Sequence, residues 1–125
     1  MAELAYLAKC GESKQQILRL AKQYYEIPTN YKKMVSENYF SEACQVTVPQ
    51  AIACFLWSDS FEDTIRTAVS IGGDSDTIAA IAGSIAEHYY GVPTWMKDRA
   101  MSYLDDRLRD TLKSLMCYQT TLLGL

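Results

Sequence analysis

Residues 70–91 have the sequence SIGGDSDTIAAIAGSIAEHYYG, in which two adjacent glycines precede a long run of small and apolar residues. Glycine reaches positive φ angles without the strain that a side chain adds, so Gly72 and Gly73 predict a sharp turn. The apolar residues after the turn recur at the three- and four-residue spacing of a helix. Because alanine and glycine let neighbouring helices approach closely, we expect this helix to be central.

The start of this helix carries three oxygen donors, Asp74, Asp76 and Thr77. Oxygen is the ligand type that Mg²⁺, Mn²⁺ and Ca²⁺ prefer. The same residue types also cap helices, because their oxygens accept hydrogen bonds from free backbone N–H groups. The spacing leaves both roles open, and the two roles are compatible. An octahedral ion takes about six oxygens, so three donors make only part of a site.

Upstream of the turn, the spacing of apolar residues is helical. A first short helix is expected to end near Gly11, and a capping box at Ser13 and Gln16 is expected to start a second helix that Pro28 closes. A weaker helix is predicted over residues 29–40, followed by a connector over residues 41–47.

Two further helices are predicted between that connector and the double glycine. Pro49 suits the first turn of one helix, which should end near Ser58. Ser60 and Asp63 have the spacing of a second capping signal, and they should start a helix that runs to the double glycine.

Downstream of the central helix, Gly91 and Pro93 predict a stop. Thr94 can then cap one long final segment, whose apolar residues recur at helical spacing as far as Leu115. No sustained alternation of polar and apolar residues indicates a strand. We therefore expect an all-α fold, a compact orthogonal helical arrangement in which residues 1–125 form a single domain.

Composition and charge narrow the function classes. The chain has 12 lysines and arginines against 15 aspartates and glutamates, a net charge of -3, which argues against nucleic-acid binding. No apolar run is long enough to span a membrane, and the N-terminus lacks the pattern of a secretion signal. The four cysteines form no Cys-x-x-Cys pair, so reduced thiols are expected. These observations favour a cytoplasmic location and exclude a membrane partner.

The segment Ser70–Gly91, with its GGDSDT motif and the Val92-Pro93 pair that follows, resembles the C-terminal signature of the ADP-ribosylglycohydrolase family. The resemblance implies an all-α fold and a two-ion Mg²⁺ or Mn²⁺ centre that positions ADP-ribose for hydrolytic release. It assigns Asp74, Asp76 and Thr77 as metal ligands. By the same resemblance Gly72, Gly73 and Ser75 would shape the substrate-binding rim near the ribose.

One departure from the family pattern is large. Family members are usually more than twice this length, and their N-terminal glycine-rich and Thr-Asp-Asp motifs have no counterpart in these residues. We therefore expect a truncated relative that binds one ion or none, and we assign no catalytic residue. Apolar faces left without their usual cover predict a homodimer or a partner chain that supplies the missing half. A non-catalytic ADP-ribose or metal-binding module and a structural homo-oligomer remain alternatives.

Overall fold

The computed structural model describes residues 1–37 and 40–123. Within these ranges all regular secondary structure is α-helical, and about 74% of the chain is helix. The all-α prediction is confirmed. The helices are α1 (Ala2–Lys9), α2 (Lys14–Ala21), α3 (Tyr31–Glu37), α4 (Cys44–Trp57), α5 (Phe61–Ser70), α6 (Ser75–Tyr90), α7 (Thr94–Ser102) and α8 (Asp106–Leu123). None of the helices in the described ranges is long and apolar enough to cross a bilayer.

The chain divides into two compact units, Met1–Val92 and Pro93–Leu125. The first unit contains α1 to α6 and the second contains α7 and α8. The expectation of one domain over residues 1–125 stays a prediction.

Helix α6 is the centre of the first unit, as the small residues predicted, and it packs against α1, α4 and α5. Gly83 shows why small residues are needed there: a Cβ atom at this position would lie 3.1 Å from Cδ1 of Ile65 on α5. Helix α4 is buried along most of its length, and Phe55 is fully buried. The core therefore lies between α4, α5 and α6.

Most predicted helix starts and stops are confirmed. Ser13 and Gln16 form a reciprocal capping box at the start of α2. At the start of α5, the Ser60 hydroxyl accepts a hydrogen bond of 3.1 Å from the Asp63 backbone N–H. Gly91 ends α6 with a φ of 75°, a conformation that glycine tolerates best.

Two of the predicted boundaries before α4 are wrong. Helix α2 ends at Ala21 rather than near Pro28. Hydrogen bonds between residues three positions apart tighten its last turn, such as the 3.1 Å bond from the Tyr24 N–H to the Ala21 carbonyl. Helix α3 covers Tyr31–Glu37, so it begins at Tyr31 rather than near Thr29, and Phe40 is outside any helix. Residues 38 and 39 of the predicted span lie outside the described residues.

Helix α4 also begins earlier than predicted. It starts at Cys44, so Pro49 lies inside the helix rather than in its first turn and the connector is shorter than residues 41–47. The Val46 and Thr47 N–H groups both donate to the Ala43 carbonyl, which forms the first turn before the proline. Burial of the surrounding residues stabilises this turn although proline removes one donor.

The second unit differs from the single long segment predicted. Thr94 is the first residue of α7 rather than its cap, and no side-chain capping hydrogen bond is made at the preceding Pro93. The helix breaks after Ser102, and Asp105 starts α8 by accepting a hydrogen bond of 2.7 Å from the Leu108 backbone N–H. Arg109 stabilises the break by donating to the Leu104 carbonyl at 2.7 Å.

The C-terminal end of α4 is held by a lysine and a tyrosine. The Lys14 ammonium and the Tyr90 hydroxyl both donate to the carbonyl of Ser58, the Tyr90 bond being 2.5 Å long. Burial, assisted by the negative charges of Asp59 and Asp63, raises the pKa of Tyr90 to about 12.

The raised pKa of Tyr90 predicts a loss of stability in alkali. The folded-state pKa of about 12 lies above the ordinary value of 10.0. The stability that the neutral Tyr90 side chain contributes is therefore complete below pH 10 and is lost as the pH rises toward 12. Tyr90→Phe should be less stable than wild type at pH 8, and the difference should shrink between pH 10 and pH 12. Urea unfolding at a series of pH values measures this. A pH-independent difference would contradict the assignment.

Candidate metal-binding turn

The turn between α5 and α6 follows from its two glycines. Helix α5 ends at Ser70, and the Gly72 N–H donates to the Val69 carbonyl at 3.3 Å. Gly72 and Gly73 then adopt φ angles of 75° and 65°. Two successive residues in this region would strain any chain with Cβ atoms, so the glycines are what allow the backbone to turn here. The predicted turn is confirmed.

Asp74 precedes the first residue of α6, yet its side chain makes no capping hydrogen bond. The Asp74 carbonyl accepts the first hydrogen bond of the helix, from the Ile78 N–H at 3.0 Å. Capping therefore does not account for the position of the Asp74 carboxyl group.

The Asp76 carboxyl group has a lowered pKa. The largest cause is its hydrogen bond with Asp74, followed by hydrogen bonds from the backbone N–H groups of Thr77 and of Asp76 itself. N–H groups at a helix start favour the ionised form of an acid. Asp76 is therefore an ionised oxygen donor at neutral pH, with the Asp74 carboxyl group on the same turn.

The two acids face solvent without a cationic partner. Asp74 is half-buried, and Asp76 and Thr77 are exposed. The salt bridges among the described residues are Lys33–Glu37, Arg66–Glu62 and Arg109–Asp106, and none of them involves the turn. Adjacent carboxylates repel each other unless a proton or a cation lies between them. The donor set thus fits a hard cation that approaches from solvent.

The turn holds only part of a coordination shell. Across residues 1–37 and 40–123, no three His, Cys, Asp or Glu side chains come together in a group that could hold a metal ion. The structure brings Asp74 and Asp76 together, with Thr77 next in the chain. Gly72 and Gly73 are exposed and Ser75 is half-buried on the same turn.

Sequence reasoning missed one contact of the turn. The Tyr31 hydroxyl lies 2.8 Å from the Ser70 hydroxyl, at the end of α5. The two residues are 39 positions apart, so no local spacing could have indicated this pair.

Two grooves lie elsewhere in the first unit. Their volumes are about 280 and 370 Å³, and both are lined by Ile27, Pro28 and Thr29. Neither is lined by a residue of the turn.

Comparison with known proteins gives a consistent match. The family model described as ADP-ribosylglycohydrolase matches residues 2–121. The chain is 39% identical over 72 residues to the ADP-ribosylhydrolase ARH3 of Homo sapiens, a match that covers 49% of this chain and 20% of the relative. It is 34% identical over 88 residues to the Gallus gallus ARH3, which covers 58% of this chain and 24% of the relative.

A third relative, the Danio rerio ARH3, is 35% identical over 72 residues, or 49% of this chain and 20% of the relative. The chain thus spans about a fifth to a quarter of the length of the curated relatives it matches. No solved structure matches the chain.

Proposed function

Because the chain belongs to the ADP-ribosylglycohydrolase family, we propose that Asp74, Asp76 and Thr77 bind Mg²⁺ or Mn²⁺ as part of a site for hydrolysing an ADP-ribosyl glycosidic bond. The observation that carries the proposal is the pair of carboxyl groups on the double-glycine turn. They stand two positions apart at the start of α6, Asp74 lowers the pKa of Asp76, and no basic side chain in the described residues forms a salt bridge with either acid.

The chemistry of the turn follows from its donors. Asp74 and Asp76 supply negative charge, and Thr77 supplies a hydroxyl oxygen. A bound divalent ion would orient hydroxyl groups of the ribose and water, and would stabilise developing negative charge. Gly72, Gly73 and Ser75 would form the rim of the substrate site, since glycine allows a ligand to approach the backbone closely.

A complete coordination shell at the turn would take further oxygen ligands, from water or from other protein segments. Three oxygen donors are about half of an octahedral shell, and this chain spans only a fifth to a quarter of its relatives. We propose that either a second copy of the chain or a partner chain supplies what is missing. Apolar side chains of the second unit support an association, because Trp95, Leu108 and Leu115 are exposed and α7 has no buried residue.

Two other functions would retain the fold. A module that binds metal or ADP-ribose without catalysis would need only the turn, and a structural homo-oligomer would need only the exposed apolar side chains. Both compete with the hydrolase proposal, and they differ in whether a cation or ADP-ribose binds.

A cytoplasmic location completes the proposal, supported by the four free thiols of Cys10, Cys44, Cys54 and Cys117.

The hydrolase proposal predicts activity only when the missing part is restored. The chain is incubated with an ADP-ribosylated protein and Mg²⁺, alone and together with the N-terminal segment of a longer family member. Released ADP-ribose is measured by chromatography. We expect release from the mixture and none from either part alone, because neither part carries a full metal shell.

The control for this experiment is the same mixture made with the Asp74→Ala, Asp76→Ala double variant, which should release nothing. Release that is unaffected by the double variant would contradict the assigned ligands. No release from any mixture, together with ADP-ribose binding, would favour the non-catalytic module.

A further inference from the structure

A hydrogen-bonded chain connects α3 to the end of α5, just before the double-glycine turn. The Tyr31 hydroxyl lies 2.8 Å from the Ser70 hydroxyl, and the Ser70 hydroxyl donates to the Thr67 carbonyl at 2.8 Å. Ser70 has a single hydroxyl proton, which the Thr67 carbonyl accepts. Tyr31 is therefore the donor to Ser70, and the chain runs in one direction from Tyr31 to Thr67.

The acceptor at the end of this chain belongs to the last turn of α5. Thr67 is one of the last four residues of α5, where the helical hydrogen-bond pattern ends. The Ser70 hydroxyl donates to its carbonyl, and the Gly72 N–H closes the same turn on the Val69 carbonyl at 3.3 Å. The direction in which the chain enters the glycines depends on this last turn.

Helix α3 is attached to the first unit through Met34, its buried residue among those the structure describes, and through Tyr31. The Tyr31 ring packs edge-on against Trp57 with ring centroids 5.9 Å apart, and 39% of Tyr31 is exposed. The ring contact holds Tyr31 against α4, while the hydroxyl reaches α5. The hydroxyl and the ring of Tyr31 can therefore be separated experimentally, because phenylalanine keeps the ring alone.

We propose that Tyr31 is a positioning residue for the acidic pair, Asp74 and Asp76. Its hydroxyl fixes the end of α5, and the end of α5 determines where the double glycine places Asp74 relative to Asp76. The inference rests on the proposed function for the cation-binding role of the pair. The geometric part, in which Tyr31 orders the turn, holds without a cation. The residue acts through Ser70 and contacts neither acid.

The proposal has a reciprocal consequence. If the Tyr31 hydroxyl favours the arrangement that binds a cation, then a bound cation stabilises the Tyr31–Ser70 contact by the same factor. Addition of a cation should therefore protect α3 from hydrogen exchange, although α3 carries none of the assigned ligands.

The test uses Tyr31→Phe, Ser70→Ala and the double variant, with Tyr24→Phe as the matched control because Tyr24 is 64% exposed. Hydrogen exchange of the metal-free proteins is measured over residues 67–77, and the dissociation constant of Mn²⁺ is measured by calorimetry. Thermal melting reports whether each variant keeps its fold.

Tyr31→Phe should speed exchange over residues 70–74 and weaken Mn²⁺ binding by roughly 3- to 10-fold, the range expected for one hydrogen bond. Its melting temperature should stay close to that of wild type, because the ring contact remains. The double variant should bind Mn²⁺ with the same dissociation constant as Ser70→Ala, because both changes break the same hydrogen-bonded chain. Mn²⁺ should protect α3 in wild type and in Tyr24→Phe, and not in Tyr31→Phe.

Equal exchange over residues 70–74 in Tyr31→Phe and Tyr24→Phe would overturn the positioning role, whatever the cation does. Additive losses of affinity in the double variant would also overturn it, since they would show two independent effects. A wild-type chain that binds no Mn²⁺ would contradict the proposed function instead, and the exchange of the metal-free proteins would still decide the role of Tyr31.

Discussion

Alanine at Asp74 or at Asp76 should abolish measurable Mn²⁺ binding in a calorimetric titration that is expected to give a clear isotherm with the wild-type chain. Each change removes one of the two carboxyl groups at the start of α6, where Asp74 lowers the pKa of Asp76. Loss of an outer partner of a metal ligand typically costs about 10- to 100-fold in affinity, and loss of a ligand itself should exceed that range. The effect should be especially large here because the turn offers few donors.

The matched control is Asp110→Ala, since Asp110 is an exposed acid on α8 and its loss changes the net charge equally. Asp110→Ala should bind Mn²⁺ as wild type does, with circular dichroism confirming that all variants keep their helices. An equal loss in Asp110→Ala would show that the ion responds to overall charge and not to the turn. Unchanged binding in both turn variants would remove Asp74 and Asp76 from the site.

Phe55→Ala should lower the free energy of unfolding by about 3–5 kcal/mol, a large part of the roughly 5–15 kcal/mol that stabilises a typical domain. The Phe55 side chain is fully buried in α4. Its ring contacts those of Tyr89 and Tyr90 on α6, with centroids 5.4 and 6.0 Å away. Truncation therefore removes buried apolar area and two aromatic contacts that join α4 to the central helix.

Urea unfolding followed by circular dichroism measures this change. Val69→Ala is the control, because Val69 is 54% exposed on α5 and should cost no more than about 0.5 kcal/mol. A variant at Phe55 as stable as the Val69 control would contradict the packing of α4 against α6.

Local signals in the sequence predicted the part of the fold that surrounds the turn. Positive φ angles at Gly72 and Gly73 follow from glycine's lack of a Cβ atom, and the capping residues Ser13 and Ser60 act on backbone groups three positions away. The small residues of α6 indicated close packing, which Gly83 confirms. The turn and the caps arise within a few residues, so the spacing alone carries that information.

The errors lie where distant contacts outweigh local preference. Pro49 usually favours the first turn of a helix, but burial of α4 in the core stabilises an additional turn before it. The break between α7 and α8 depends on Asp105, whose capping role competes with an uninterrupted apolar pattern on both sides. The Tyr31–Ser70 contact joins residues 39 positions apart and leaves no local trace.

For the candidate site, the sequence predicted which residues share the turn but not how their side chains are arranged. The resemblance named Asp74, Asp76 and Thr77 as ligands. The structure adds that the Asp74 side chain makes no capping hydrogen bond and that Asp74 lowers the pKa of Asp76. Side-chain direction at a helix start depends on backbone angles that spacing does not specify, such as the ψ of 59° at Asp74.

Binding of a divalent cation by the oxygens of the double-glycine turn can be observed residue by residue. Small amounts of paramagnetic Mn²⁺ are added to the ¹⁵N-labelled chain, and the backbone amide signals that broaden are recorded. Signals of residues 72–77 should broaden first, and Asp74→Ala combined with Asp76→Ala should remove this selectivity. Broadening centred on other acidic residues, such as Asp105 and Asp106, with residues 72–77 unaffected would contradict binding at the turn.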